Sequence, residues 1–517
     1  MARLFLFGIG GTGARVIRSF TMMMAAGFQG VDSSLEIVPI IFDHDKGNGD
    51  LTRTISLLNS YYWINRELYP DAGGSTTTYR NSFYIPRLIP LNYIGVNQIV
   101  GNPMWHVEFG ATTGHAGMKY SDYIGLSTLS SDTNLSSTAS LIESLYDDSP
   151  SNSANAELNL ELDKGFKGNP SIGTVVFNEL KNDINFQTFL NNCNPGNGDR
   201  VFIIGSIFGG TGSSGIPVIV DEIRKSTIGN VAQVPIGVAL VLPYFQLQPK
   251  GTDNSEDTGA IDASLFNAKT KAALGSYAIG GNVSFNSKVT NLYYIGDTRM
   301  DSYEYHEGRN KQQNPAHVVE WVAATSIIDF LILGDAFGVS RVREFGIDSN
   351  EMEQGKAISL LEIRDDSKKQ FVNDLTIFVM AMRYYMEVTC GSRNPISKTA
   401  SYYTTFDLNS NLNKGVYDKI KKFLEDPIWG FYKWLDELAN HEHSFRMYNH
   451  SGTGKDISNV LAHKTISGGL FSGNPVKDDN FSSQVNTLTR NVHKPVAAVF
   501  FKALHDAAKS IFDKINK

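Results

Sequence analysis

The chain has 517 residues and carries 46 Lys and Arg against 53 Asp and Glu, a formal net charge of −7. Hydrophobic residues at 41% and aromatics at 11% describe a globular protein of several domains and exclude a disordered one. A pI near 5.9 argues against capture of nucleic acid by the chain as a whole. Two cysteines, Cys193 and Cys390, exclude a disulfide framework, and no apolar run approaches the roughly 20 residues that cross a bilayer. The opening run Leu4–Phe7 is short, meets Gly8 at once and has no secretory cleavage site, so a soluble, reducing, cytoplasmic setting is expected.

In chain order, Arg3–Phe7 reads as a strand buried on both faces, Gly8–Gly13 as a glycine turn and Ala14–Ala26 as a helix. Glu36–Phe42 is the next buried strand, ending in Asp43-His44-Asp45, which completes a βαβ unit. Residues 46–100 are irregular and aromatic-rich, and the Ser/Asn/Asp/Leu-rich stretch 128–165 reads as an insertion or mobile loop. Order resumes with the strand Arg200–Ile207, a second glycine turn, a helix over Ile216–Ser226 and the strand Val234–Pro243. Helices over 259–277 and 315–333 flank the strand Asn291–Ile295. Beyond a boundary near 345 the texture changes, and Lys368–Val388, Lys414–Ala439 and Lys494–Ile515 all read as amphipathic helices.

The first glycine turn is Gly8-Ile9-Gly10-Gly11-Thr12-Gly13. Glycines between a buried strand and a helix let the backbone turn sharply and present its N–H groups to a phosphate, with the helix dipole aimed at the same point. With Asp43 closing the next strand, this turn alone also fits a dinucleotide fingerprint, in which the acid binds ribose. A second turn, Gly209-Gly210-Thr211-Gly212-Ser213-Ser214-Gly215, lies between another buried strand and helix. A nicotinamide dehydrogenase has no use for it, whereas two turns on neighbouring strands can wrap one triphosphate from two sides. Neither is a Walker loop, and Gly454-Lys455 lacks the upstream glycine and is followed by Asp456.

With both turns in view, the chain resembles the tubulin/FtsZ family of GTPases over about its first 335 residues. The family's GGGTGSG-type signature is similar to Phe208–Gly215, with Phe208 at the first glycine and one extra serine. Gly8–Gly13 is similar to its first loop, Asp43-His44-Asp45 to the acidic end of its second strand, Gly110–Gly117 with Gly114 to a further glycine loop, and Val241–Phe245 to the proline-aromatic end of a later strand. The resemblance implies an α/β fold with a Rossmann-like parallel sheet: a GTPase-like domain over 1–313 with insertions about 46–100 and 128–195, a central helix and following loop over 314–345, and a mainly helical C-terminal domain over 346–517. It implies GTP or GDP as ligand with Mg²⁺ travelling beside it, water-linked to Asp43 or Asp45. Gly10, Gly11, Thr12, Gly13, Gly114, Gly209, Gly210, Thr211, Gly212 and Ser213 would hold the phosphates. Asn267 and Asn314 are its base-binding candidates, each equally readable as a helix-surface residue or a cap.

The family completes hydrolysis in trans, through acids in the loop after the central helix. Here Val318–Leu333 is the central-helix candidate and the loop reads Gly334-Asp335-Ala336-Phe337-Gly338, so the family's Asn-x-Asp-x-x-Asp pattern is missing and Asp335 is the nearest acid, ahead of Asp348 and Glu351. Tubulin and FtsZ carry a small α/β domain where residues 346–517 of this chain read as largely helical. The aromatic helix Trp429–Trp434 is assigned to the core or to a neighbouring subunit. His441-Glu442-His443 with His450 offers metal-ligand types, but at a helix end that spacing splits the rings across two faces, and no metal site is expected. Expected partners are further copies of the chain in an oligomer or filament, with an adaptor protein open. The alternatives are a non-catalytic nucleotide-binding scaffold and a Rossmann-type NAD(P)-dependent oxidoreductase.

Overall fold

Aliphatic and aromatic runs bounded by glycine become the strands of one parallel sheet. The computed structural model describes residues 2–27, 35–70, 82–96, 101–107, 117–126, 128, 136–149, 153–162, 166, 168–247, 265–278, 285–297, 300–304, 312–332, 341–347, 366–386, 401–406, 408, 414–441, 444–445, 448, 478–488 and 496–515. The strands are β1 (Arg3–Ile9), β2 (Glu36–Phe42), β3 (Arg87–Leu88), β4 (His106–Val107), β5 (Arg200–Ser206), β6 (Ile236–Val241), β7 (Phe245–Leu247), β8 (Asn291–Asp297), β9 (Asp301–Tyr303) and β10 (Arg341–Ile347). Helices of eight or more residues are α1 (Gly10–Ala25), α2 (Gly49–Leu68), α3 (Ser136–Leu145), α4 (Pro170–Phe177), α5 (Ile184–Asn192), α6 (Gly210–Lys225), α7 (Phe266–Ala278), α8 (Val318–Ile332), α9 (Asp366–Tyr384), α10 (Val416–Glu425), α11 (Phe431–Ala439), α12 (Asp478–Leu488) and α13 (Val496–Ile515).

Eight strands form the main sheet in the order β10-β8-β6-β5-β1-β2-β3, with β4 also on β2. Every pairing is parallel. Pro39 falls in β2 between the residues paired with β3 and those paired with β4, a gap in the ladder that suits a residue with no N–H. From β1 the chain winds one way through α1 to β2, and from β5 it winds the other way through α6 to β6. The order therefore reverses between β1 and β5, the place where open α/β sheets bind ligands.

Side chains alternate along β1, so Leu4 and Leu6 enter one core layer while Phe5, Phe7 and Ile9 enter the other. The second layer is closed by α4, α5 and α6. The first is closed by α1, α2 and α8 together with the C-terminal helices. Trp434 on α11 is fully buried and donates its indole N–H to Ser19 Oγ of α1 at 3.2 Å. The aromatic helix thus packs on the core of its own chain.

Several elements depart from the sequence expectations. The irregular stretch 46–100 contains the 20-residue helix α2, which lacks an apolar stripe because it is clasped by α1 and α10 and buries Asp50, Arg53 and Thr54. The expected helix Lys414–Ala439 is two helices, since Pro427 stops α10 and the Asp426 side chain accepts from the N–H groups of Ile428 and Trp429 in the turn. Within 128–165 the structure holds α3 and a 3₁₀ segment, Ser153–Asn159. Strand β10 runs across the boundary drawn near 345, while the described elements after 347 are helical.

Candidate functional site

Both glycine turns sit at the carboxyl ends of neighbouring central strands. Gly10 opens α1 with φ +69°, a left-handed conformation that glycine adopts without strain. A Cβ there would lie 3.2 Å from the Cβ of Thr211, so the two turns abut. Other glycines serve close packing. A Cβ on Gly13 would meet the Gly8 carbonyl carbon at 2.6 Å and Ile204 O at 2.8 Å, one on Gly212 would meet Ser206 O at 2.2 Å, and one on Gly215 would meet the Phe177 ring at 2.5 Å. They draw α1 and α6 down onto β1 and β5.

The amino ends of these helices carry unspent donors. Helix α2 is capped by Asn48 and α5 by Asp183, through hydrogen bonds to backbone N–H groups. Neither α1 nor α6 has a side-chain cap or an acid in its first turn. Helix α4 shares both features, and its start packs on Gly210. A Cβ on that glycine would lie 2.9 Å from Phe166 Cβ and 3.1 Å from Asn169 N. Three uncapped amino ends thus meet at the switch point, an arrangement suited to an anion.

Phe208, where the tubulin/FtsZ signature has glycine, turns its ring away into an aromatic cluster, 4.9 Å from Phe266 and 5.5 Å from Phe245. Ser213 donates its hydroxyl to the carbonyl of Gly209 in its own helix. Thr12 instead accepts from Arg15 Nη2 at 3.2 Å. Asp43 closes β2 fully buried, accepting from Asp45 N at 3.1 Å and Asn48 Nδ2 at 3.4 Å. Burial, with Asp45 and Asp50 nearby, pushes its carboxyl up to about 7 against the backbone N–H groups that favour the anion. Asn48 Nδ2 also stands 3.5 Å from Gln312 Oε1 and 3.5 Å from a Cβ placed on Gly11, so Asp43 and the 312–314 segment border the first turn.

Asn314 lies on that segment, 7% exposed, with its carbonyl accepting from Arg53 Nη2 at 2.5 Å. Asn267 is exposed on α7, one residue from Phe266 beside the second turn. Gly114 and Asp335 lie outside the described residues, as do Glu442, His443 and His450. The residues that meet the second turn are Phe166, Gly168 and Asn169. Their signal was Gly168-Asn169-Pro170, a turn glycine followed by proline at the first helical position.

Beneath the first turn lies a charge network with no local sequence signature. Arg15 donates to Glu320 Oε1 at 2.5 Å, Asp50 Oδ2 at 2.6 Å and Tyr244 OH at 2.7 Å. Arg53 joins Asp50 to Glu437 on α11, which also binds Arg18 at 2.7 Å. Burial works against the Arg15 charge, but Tyr244, Glu320 and Asp50 outweigh it and hold the guanidinium charged. Glu320 also accepts the N–H of His317, and His317 Nδ1 accepts the N–H of Val319, a capping box with histidine as cap.

Asp301, His317 and His441 bring their ligand-type atoms within 4.8 Å of one another, a group that could hold a metal. His317 Nε2 is 2.8 Å from Asp301 Oδ2, and His441 Nδ1 is 3.0 Å from the same oxygen. Because His317 Nδ1 accepts an N–H, its proton sits on Nε2, the atom that would have to ligate. That donor set fits protons better than a metal. His441 Nε2 meets Ala316 O at 2.6 Å, so both its ring nitrogens face acceptors and the ring is satisfied as imidazolium. Burial opposes that charge, but Asp301 outweighs it and raises the His441 pKa. Burial likewise opposes ionisation of Asp301, and the two histidines hold it well below the usual carboxylate range.

No protein-family model and no curated protein matches the chain.

Proposed function

We propose that the chain is a GTP-binding protein of the tubulin/FtsZ type. The observation that carries this reading is the meeting of two glycine turns, with uncapped helix amino ends, where the strand order reverses. Backbone N–H groups of α1 and α6 would take the phosphates from two sides. Asp43, as a neutral carboxyl or an anion, would meet a ribose hydroxyl or a water of the accompanying Mg²⁺. Asn314 and Asn267 flank the turns as readers of the purine edge. Mg²⁺ would supply charge neutralisation between the phosphates, and the raised Asp43 pKa marks a spot where positive charge relieves crowded acids. A dinucleotide oxidoreductase would leave the second turn and its contact with Gly10 without a role.

Self-assembly with hydrolysis completed between subunits belongs to the same proposal and rests on the sequence resemblance. A non-catalytic scaffold is the second reading, favoured by the absence of the Asn-x-Asp-x-x-Asp pattern after α8. Phosphate release measured against protein concentration separates them. A rate that rises faster than linearly means that subunits complete one another's sites, and zero release at every concentration favours the scaffold.

A further inference from the structure

Four hydroxyls stand on the two turns, and their hydrogen bonds are not equivalent. Ser213 and Ser214 have given their protons to the carbonyls of Gly209 and Gly210, and Thr211 faces Gly10, its Cβ, Cγ2 and Oγ1 lying at 3.2, 3.7 and 3.8 Å from a Cβ placed there. Thr12 is 7% exposed and receives a hydrogen bond from Arg15 Nη2 at 3.2 Å. A guanidinium has donors only, so the Thr12 oxygen is the acceptor in that bond and its own proton must point elsewhere. Among the described residues no acceptor takes it.

Arg15 is in turn fixed from three other elements. Asp50 on α2 holds Nη1, Glu320 on α8 holds Nε, and Tyr244 beyond β6 accepts from Nη2 while donating to Glu320 at 2.6 Å. Its nearest nitrogen is 3.6 Å from a Cβ placed on Gly11, and its charge is balanced by two carboxylates. Arg15 is thus too engaged and too buried to meet a ligand directly, but placed to set how Thr12 does.

We infer that Thr12 is a side-chain donor to the bound phosphoryl group, and that Arg15 is a positioning residue that turns the Thr12 hydroxyl proton toward that group. This rests on the nucleotide reading above. A hydrogen bond from a hydroxyl to a charged phosphate changes affinity by about 10- to 100-fold.

The test is a double-mutant cycle read by calorimetric titration with GDP and, separately, with guanosine. Thr12→Val should weaken GDP binding by about 10-fold or more, leave guanosine binding unchanged and keep the melting temperature within a few degrees. Thr12→Ser should restore binding. Arg15→Lys should also weaken GDP binding, yet add little in the Thr12→Val background, because the arginine acts through that hydroxyl. Should Arg15→Lys fail to fold, Tyr244→Phe carries the same test. Wild-type-like GDP affinity in Thr12→Val, or effects of the two substitutions that multiply, would overturn the inference. Wild-type protein that binds neither GDP nor inorganic phosphate would overturn the nucleotide reading itself.

Discussion

The glycines of the two turns do not all answer to one constraint, which decides which of them makes a clean probe. Substituting Gly212 drives a methyl onto Ser206 O at 2.2 Å, so loss of binding there would report lost folding. Gly11 is different. A Cβ at this position meets only ordinary contacts, the nearest being Asn48 Nδ2 at 3.5 Å, and its backbone is not left-handed. Gly11→Ala should leave the melting temperature within about 3 °C of wild type and weaken GDP binding about tenfold or more, by placing a methyl where the backbone must approach phosphate. Ser213→Ala should change GDP affinity less than threefold, its proton being already spent inside α6. Titration of the two purified variants checks both outcomes.

At the scale of elements, the cluster that joins β9, the start of α8 and the end of α11 makes stability depend on pH. A histidine whose folded pKa exceeds its ordinary 6.5 gives full stabilisation below 6.5 and loses it as pH rises through the raised value. Asp301, held low, contributes above its ordinary 3.8 and loses that only in acid. Burial lowers the pKa of His317, which works the opposite way, so the His441 contribution is read as the difference between wild type and His441→Gln: the wild type's advantage in melting temperature should shrink from pH 6 to pH 8.5. His441→Gln should cost about 2–4 kcal/mol at pH 6 and less at pH 8.5, as seen by urea unfolding at the two values. Adding Zn²⁺ should not raise the melting temperature of the wild type, because His317 presents a protonated nitrogen to the cluster.

The strands were legible for a physical reason. In Glu36–Phe42 and Arg200–Ser206, burial on both faces demands unbroken apolar runs bounded by glycine or acid, and local sequence carries that signal. Helix α2 was hidden because its buried residues mix polar with apolar ones: Arg53 finds partners on α8's lead-in and on α11, hundreds of residues away, and Asp50 meets Arg15 on α1. The glycine turns announced themselves, while Arg15, Glu320 and Glu437 did not, since ion pairs between distant residues leave no periodicity. His441 was weighed with its sequence neighbours His443 and His450, whereas its partners in space are Asp301 and Ala316.

Across the whole molecule, the C-terminal helices share one apolar core with α1, α2 and α8. Trp434 and Glu437 on α11 reach Ser19 and Arg18 on α1, the same helix whose first turn abuts the second glycine turn. Trp434→Ala should cost about 3–5 kcal/mol by equilibrium unfolding. A chain ended after Ile347 should expose the outer face of α1 and bind a hydrophobic dye, where the full-length protein does not. The central claim, one nucleotide held between two glycine turns, is tested most directly by calorimetric titration of full-length protein with GTP, GDP and NADH. The account predicts saturable binding of GTP and GDP, weakened about tenfold or more in Gly11→Ala at unchanged melting temperature. Preference for NADH, or guanine-nucleotide binding that Gly11→Ala leaves intact, would contradict it.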